Sequence, residues 1–337
     1  CITSLPRDKL QNVCRIGVSG EMHAVIFWKA QKDTSQLITR QDGCCNCNFL
    51  CTLPNPDSHV IIATGFDCDT IFWYMRHIPA MGFLSDFTVT GTINEYMVSM
   101  LCGSESCAMM TGQYAASWTV CVCACSNLND AGFPVHLPPC DAGFPVHLLP
   151  ECVPSGCMVV QTCSEWHGVH ANTPVGAALG DIQCSVYSSG FVTFAFVNIS
   201  TSAQLTNAMP LDFTPPNIAD PTSSISYFRY FDGSYLAVTA SLNGGNVVAI
   251  LVAMLSGWMN ELGTLIYKHS HTVTDLLIRC ALRVDSSDLR VSLTIRGERH
   301  DPLSLAVCRQ RVFSLPVEYG QDVDSAVGVI MVFHGRL

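Results

Sequence analysis

The chain has 337 residues, 49% apolar and 13% charged, with a formal net charge of −10. That balance excludes a disordered chain, and the acidic total excludes strong electrostatic capture of nucleic acid by the folded body. So little charge leaves too little polar surface for a solitary molecule and predicts that neighbours bury much of it, as in an obligate oligomer.

The length suits two domains. The start, Cys1-Ile2-Thr3, lacks the basic flank and apolar core of a secretion signal, and without an initiating Met the chain reads as processed or trimmed. Apolar runs of four to nine residues rich in Val, Ile, Phe, Tyr and Thr alternate with Gly, Pro, Asn, Asp and Ser clusters. That pattern predicts strands. In the first part they are 23–28, 49–53, 59–63, 70–74, 87–93, 96–101 and 117–124, the last placing Cys121, Cys123 and Cys125 on one face. Between them, Gly65-Phe66-Asp67-Cys68-Asp69 carries two alternating acids without the rest of a calcium loop, and reads as a surface turn.

From residue 127 the composition shifts. The octapeptide 130–137 (Asp-Ala-Gly-Phe-Pro-Val-His-Leu) recurs unchanged at 141–148, and Pro138, Pro139, Pro150 and Pro154 oppose regular ladders. This predicts an extended linker. The second part predicts strands at 182–187, 191–198, 235–241, 247–254, 264–267, 274–284, 289–295 and 326–333, with short helical turns near 223–227 and 260–263. The apolar run from Val247 to Leu255 is too short for a membrane-spanning helix. Arg279, Arg283, Arg290, Arg296 and Arg299 bias the last third towards basic charge without forming a run.

The chemistry-bearing clusters are weak. Cys44, Cys45, Cys47 and Cys51 lie close together but have no matching second pair for a structural zinc site. Glu165, His167 and His170, and His269 with His271, lack regular spacing, and His167 or His170 near Cys163 is a chance pairing among nineteen cysteines. No Gly-x-Ser-x-Gly elbow, phosphate loop or dinucleotide fingerprint occurs. Asn243-Gly244 is a hairpin signal, and Asn198-Ile199-Ser200 is an isolated glycosylation sequon. The odd cysteine count and ample apolar content favour reduced, buried thiols over a disulfide framework.

The densest feature is Ser226-Tyr227-Phe228-Arg229-Tyr230-Phe231-Asp232-Gly233, which leads into an apolar strand from Tyr235. This aromatic-Arg-Tyr-aromatic-x-Gly run resembles the segment before a central strand in picorna-like virus coat proteins. Met209-Pro210-Leu211, Glu151-Cys152-Val153-Pro154 and Asp324-Ser325-Ala326-Val327-Gly328 look similar to parts of the large, comovirus-like coat protein of plant secoviruses.

The resemblance implies an all-β chain of two eight-stranded antiparallel jelly-roll sandwiches: an N-terminal domain at 1–126, a linker at 127–160 and a C-terminal domain at 161–337. It implies a structural capsid protein, not an enzyme, that self-assembles into an icosahedral shell in the host cytoplasm and resides in the virion. Its partners would be copies of itself, a smaller coat subunit and genomic single-stranded RNA held by diffuse contacts, with no membrane, cofactor, metal or catalytic residue. Interface or core candidates are Phe228, Arg229, Tyr230, Phe231, Gly233 and Leu236. The alternative is a secreted or cell-surface β-sandwich binding protein with disulfides.

Overall fold

The computed structural model describes residues 5–29, 33–39, 42–53, 59, 63–78, 87–103, 109–111, 145, 148–190, 195–199, 203–216, 220, 223, 225–241, 245–261 and 324–334. Helices carry much of what is described, so the expectation of two all-β jelly rolls is wrong. The first elements are α1 (Arg7–Gln11), β1 (Ser19–Gly20), β2 (Ile26–Lys29) and β3 (Asp33–Thr34). They are followed by α2 (Cys47–Leu50), α3 (Asp67–His77), β4 (Val89–Gly91) and α4 (Ile93–Cys102). Next come β5 (Met109–Thr111), β6 (Glu151–Val153), β7 (Met158–Gln161), β8 (Pro174–Gly176), β9 (Leu179–Gly180) and α5 (Asp181–Ser189). The remainder is β10 (Phe196–Ile199), β11 (Ala203–Ala208), β12 (Ser226–Arg229), a 3-10 turn (Phe231–Gly233), β13 (Tyr235–Ser241), α6 (Gly245–Glu261) and α7 (Ser325–Phe333).

The runs 49–53, 70–74, 96–101, 182–187, 247–254 and 326–333, expected as strands, fall wholly or partly in α2, α3, α4, α5, α6 and α7. Local chemistry explains the outcome. Asp67 and Asp69 lie in the first turn of α3 and Arg76 and His77 in its last, complementing the helix dipole. Thr92 and Glu95 form a capping box on α4, which ends at Gly103 with φ 74°. Gly190, with φ 65°, ends α5 in the same way. The Asp324 carboxylate accepts from the Val327 N–H at 2.7 Å and starts α7. Residues 226 and 227, expected at the end of a helical turn over 223–227, instead open strand β12. Strand readings hold at 235–241, which matches β13, and within 23–28 and 87–93, which contain most of β2 and all of β4. The expectations at 117–124, 264–267, 274–284 and 289–295 and most of the repeated octapeptides lie outside the described residues.

The chain divides into two compact units, one of residues 1–194, 207–238 and 320–337, the other of 195–206 and 239–319. In the first, β2 pairs antiparallel with β3 and β4 and is buried at Ile26, Phe27 and Trp28. Trp28 meets the edge of Tyr96 on α4, with ring centroids 5.6 Å apart. β1 and β9 pair in parallel, Ser19 opposite Leu179 and Gly20 opposite Gly180. Beneath them a core joins Leu179, Cys184, Phe231, Val329, Val332 and Phe333, with Tyr187 and Tyr230 packed against it. Here α5 and α7 approach closely: a Cβ on Gly328 would lie 1.8 Å from the Cys184 carbonyl oxygen. The Arg15 guanidinium donates to the Phe333 carbonyl at the end of α7. In the second unit, β10 and β11 form an antiparallel hairpin with Phe196 opposite Thr206, and α6 provides the described helix.

Candidate active site

Parallel strands deliver their carboxyl ends to one edge, and that edge is where α/β proteins bind ligands. At the end of β1 the chain continues Glu21-Met22-His23, and at the end of β9 it enters α5 at Asp181. Gly20 and Gly180 are in register, and each is followed directly in the chain by an acid, Glu21 and Asp181. Both are partly exposed. The Asp181 carboxylate accepts from the Ile182 N–H at 2.7 Å, in the first turn of α5.

Neither glycine has room for a side chain. A Cβ on Gly20 would lie 2.3 Å from Asn94 Oδ1, and one on Gly180 would lie 2.2 Å from Gln183 Oε1 and 3.0 Å from Met22 Sδ. The amides of Asn94 and Gln183 therefore press against the strand ends. Asn94 Nδ2 donates to the Glu21 carbonyl at 3.0 Å. Gln183 is 1% exposed and its Oε1 has no hydrogen-bond partner.

Behind this edge lies a set of buried titratable groups. His23 is buried with φ 68°, in the left-handed region that His enters more readily than most side chains. Its ring stacks on Phe66 at 4.4 Å and 13°, and Nδ1 lies 3.6 Å from Asp67 Oδ2. Asp69 Oδ2 accepts from the Ala63 N–H at 3.0 Å, yet burial pushes this carboxyl up to about 8. Glu95 accepts from the Thr92 N–H at 2.7 Å and from the Thr92 hydroxyl, and burial pushes it up to about 7. The pair Asp67 and Asp69, expected on a surface turn, is thus fully buried at the start of α3.

The aromatic run lies elsewhere in the same unit. Phe231 and Leu236 are buried in the core, while Phe228, Arg229 and Tyr230 are half-buried. The Arg229 guanidinium sits 4.5 Å from the Tyr235 ring centroid and donates to the Gly233 carbonyl at 3.2 Å. Gly233 is exposed with φ 81°, which completes the turn between β12 and β13. Asp181, Asn94, Gln183 and His23 were all missed as site residues. The available signal was the repeated arrangement Ser19-Gly20-Glu21 and Leu179-Gly180-Asp181, a glycine and an acid closing two short apolar segments.

The cysteines whose side chains are described are free. Cys44 and Cys45 bring their sulfurs within 3.6 Å, and burial pushes Cys44 up to about 11. Among the described residues no group of three or more His, Cys, Asp or Glu could hold a metal ion, and no helix is long and apolar enough to cross a membrane.

The chain is 38% identical to the sedoheptulokinases of Mus musculus and Homo sapiens, covering 100% of its own length and 84% of theirs. The aligned stretch of 416 positions is longer than the chain, so the relatives carry insertions with respect to it. No protein-family model matches. Among solved structures, the ligand-bound xylulose kinase of Lactobacillus acidophilus superposes with a TM-score of 0.63 at 18% identity, over 97% of this chain and 64% of that one. The gluconate kinase of the same organism gives 0.63 at 17% identity, over 98% and 65%. The glycerol kinase of Plasmodium falciparum with ADP gives 0.55 at 14% identity, over 79% and 52%. The fold is therefore the α/β fold of carbohydrate kinases.

These likenesses overturn the coat-protein resemblance and what it carried. The capsid function, the non-enzymatic role, the virion location, the smaller coat subunit and the RNA partner all fall with it, as does the disulfide-linked binding protein. The resemblance rests on the aromatic run and three segments of three to five residues, and short matches of that kind carry no fold: residues 324–328 open helix α7 and not a closing strand.

Proposed function

The chain belongs to the sedoheptulokinase family of carbohydrate kinases, and from that premise we propose that it transfers the terminal phosphoryl group of a nucleoside triphosphate to a hydroxyl of a sedoheptulose-like sugar. The observation that carries the reading is Asp181, a partly exposed carboxylate at the carboxyl end of a parallel strand and the first turn of a helix. The buried acids behind the strand ends are unsuited to act as base: Asp67 and Asp69 are shut in the interior, and Glu95 is committed to its cap.

Phosphoryl transfer to a hydroxyl asks the protein mainly for positioning and charge stabilisation, with a carboxylate to orient the nucleophile and receive its proton. Asp181 fills that role. The sugar oxygen forms the new P–O bond, the bond to the nucleoside diphosphate breaks, and the hydroxyl proton passes to Asp181. Asn94, Gln183 and His23 supply the convergent polar groups that fix which hydroxyl is presented. A divalent cation accompanies the triphosphate in such reactions. The described residues offer no cluster to hold one, and no step here is routed through it.

The test is phosphorylation of sedoheptulose, xylulose, gluconate and glycerol with ATP as donor, in the wild type and in Asp181→Asn. Sedoheptulose should be turned over best, and the variant should lose about a thousandfold in kcat with little change in KM. Turnover of none of the four sugars, or an Asp181→Asn enzyme with normal kcat, would sink the reading.

A further inference from the structure

Cys44 and Cys45, in a stretch that the transfer reaction does not use, hold their sulfurs 3.6 Å apart. Cys44 is half-buried and open to small reagents, and Cys45 is 0% exposed. The backbone fixes both. The Cys44 N–H donates to Asp42 Oδ1 at 2.8 Å, the Cys44 carbonyl accepts from the Asn46 N–H at 3.0 Å, and the Cys45 carbonyl accepts from the Thr64 hydroxyl at 2.6 Å. The two thiols therefore meet a ligand already oriented, with little conformational entropy left to lose.

We propose that Cys44 and Cys45 form a dithiol site for a monosubstituted trivalent arsenical, which exchanges its two oxygens for their two sulfurs. Spacing favours this bridge over a disulfide. A disulfide holds its sulfurs about 2.05 Å apart, so the pair would have to close by about 1.5 Å within two adjacent residues. Trivalent arsenic, with bonds to sulfur about as long as those of zinc, about 2.3 Å, and an angle of about 100° between them, holds two sulfurs about 3.5 Å apart. That matches the pair as it stands. Among the described residues no group of three or more His, Cys, Asp or Glu is spaced to hold an ion. Inorganic arsenite, a taker of three thiols, is thereby disfavoured, and the third arsenic valence is left to carbon.

The step is a condensation with no redox change. Each thiol proton leaves with an arsenic-bound hydroxide as water, so two As–O bonds break and two As–S bonds form. Burial pushes the Cys44 thiol up to about 11, helped by the Asp42 carboxylate beside it, and pushes Cys45 up as well. At neutral pH both are thiols, the form that the condensation consumes and that hydroperoxides oxidise slowly. A monothiol that displaces Cys44 leaves arsenic tethered to the buried Cys45, and the adjacent thiol recaptures it. Cys51 also lies beside Cys47, one turn along α2, but it is exposed and leaves a bridge there open to competing thiols.

The test uses the full chain and phenylarsine oxide, with glutathione in excess as competing monothiol and dimercaptopropanol as competing dithiol. Trypsin then releases the peptide 41–76, which follows Arg40 and ends at Arg76. In the wild type this peptide should carry a phenylarsenic group that survives glutathione and is removed by the dithiol. Cys44→Ser and Cys45→Ala should each cut the retained group at least about tenfold, while Cys47→Ser and Cys51→Ser should keep it. Cys44→Ser, at the half-buried position, decides the matter if Cys45→Ala does not fold. An unlabelled wild-type peptide, full retention in Cys44→Ser, or a loss that follows Cys47 and Cys51 instead overturns the proposal. The readout is a mass, so it is independent of sugar phosphorylation and of the result with Asp181→Asn.

Discussion

Gly20 and Gly180 stand opposite each other in the β1–β9 register, and at each the space of a Cβ is already taken by a buried amide, Asn94 at one and Gln183 at the other. The two glycines therefore set how closely the strand ends approach the polar groups of the site. Gly20→Ala or Gly180→Ala should displace that amide. Each should cost about 1–3 kcal/mol in urea unfolding and raise the sugar KM more than it lowers kcat. A variant with wild-type KM would show that the amides do not shape the sugar pocket.

Gly328 and Gly257 make a contrasting pair for stability. A Cβ at Gly328 would meet backbone, 1.8 Å from the Cys184 oxygen, whereas nothing described lies within 4 Å of one at Gly257. Gly328→Ala should push α7 off α5 and cost several kcal/mol, beyond about 3. Gly257→Ala, in an exposed helix position, should stabilise by about 0.5–1 kcal/mol. Thermal and urea unfolding of both variants would check the pair, and equal effects would contradict the helix crossing.

Asp69 and Glu95 make stability fall as pH rises. Their folded values, about 8 and about 7, lie above the ordinary carboxylate values of 3.8 and 4.5. Between the ordinary and the raised value the folded state binds more protons than the unfolded one, so its advantage declines with pH. The contribution is complete below pH 3.8 for Asp69 and is lost as pH climbs through about 8. Urea midpoints measured from pH 5 to pH 9 should drop towards alkaline pH, and Asp69→Asn should flatten the drop. An equally steep curve in the variant would refute the assignment.

Thr92 joins the cap of α4 to the site, since its hydroxyl and N–H both reach Glu95 while the next residue but one, Asn94, touches β1. Thr92→Ala should cost about 1–2 kcal/mol and raise the sugar KM through Asn94. A stability loss with no change in KM would separate the cap from the site.

The strands β2, β4 and β13 were legible because aromatic and β-branched residues cluster there between turn residues. The helices were not, for a physical reason. Val327-Gly328-Val329-Ile330-Met331-Val332-Phe333 is apolar on every side, and a short continuous run of that kind is the same for a buried strand and a buried helix. The deciding signals were the caps: Asp324 before α7, the acids at 67 and 69 before α3, and Thr92 with Glu95 before α4. Once residues 182–187 are read as a strand, Asp181 loses its meaning as the first residue of a helix, and the site disappears with it. Phe231 stood out in the sequence for its aromatic neighbours, and it belongs to the core under the site rather than to the chemistry.

The packing of α7 against α5 bears on how the protein is made. The helix that carries Asp181 rests on residues 325–333, more than a hundred positions further along the chain. During vectorial synthesis on the ribosome the strand ends, the buried acids and Asp181 all emerge long before their support. The nascent polypeptide must wait, partly assembled and with Leu179, Cys184 and Phe231 uncovered, until that distant helix leaves the exit tunnel.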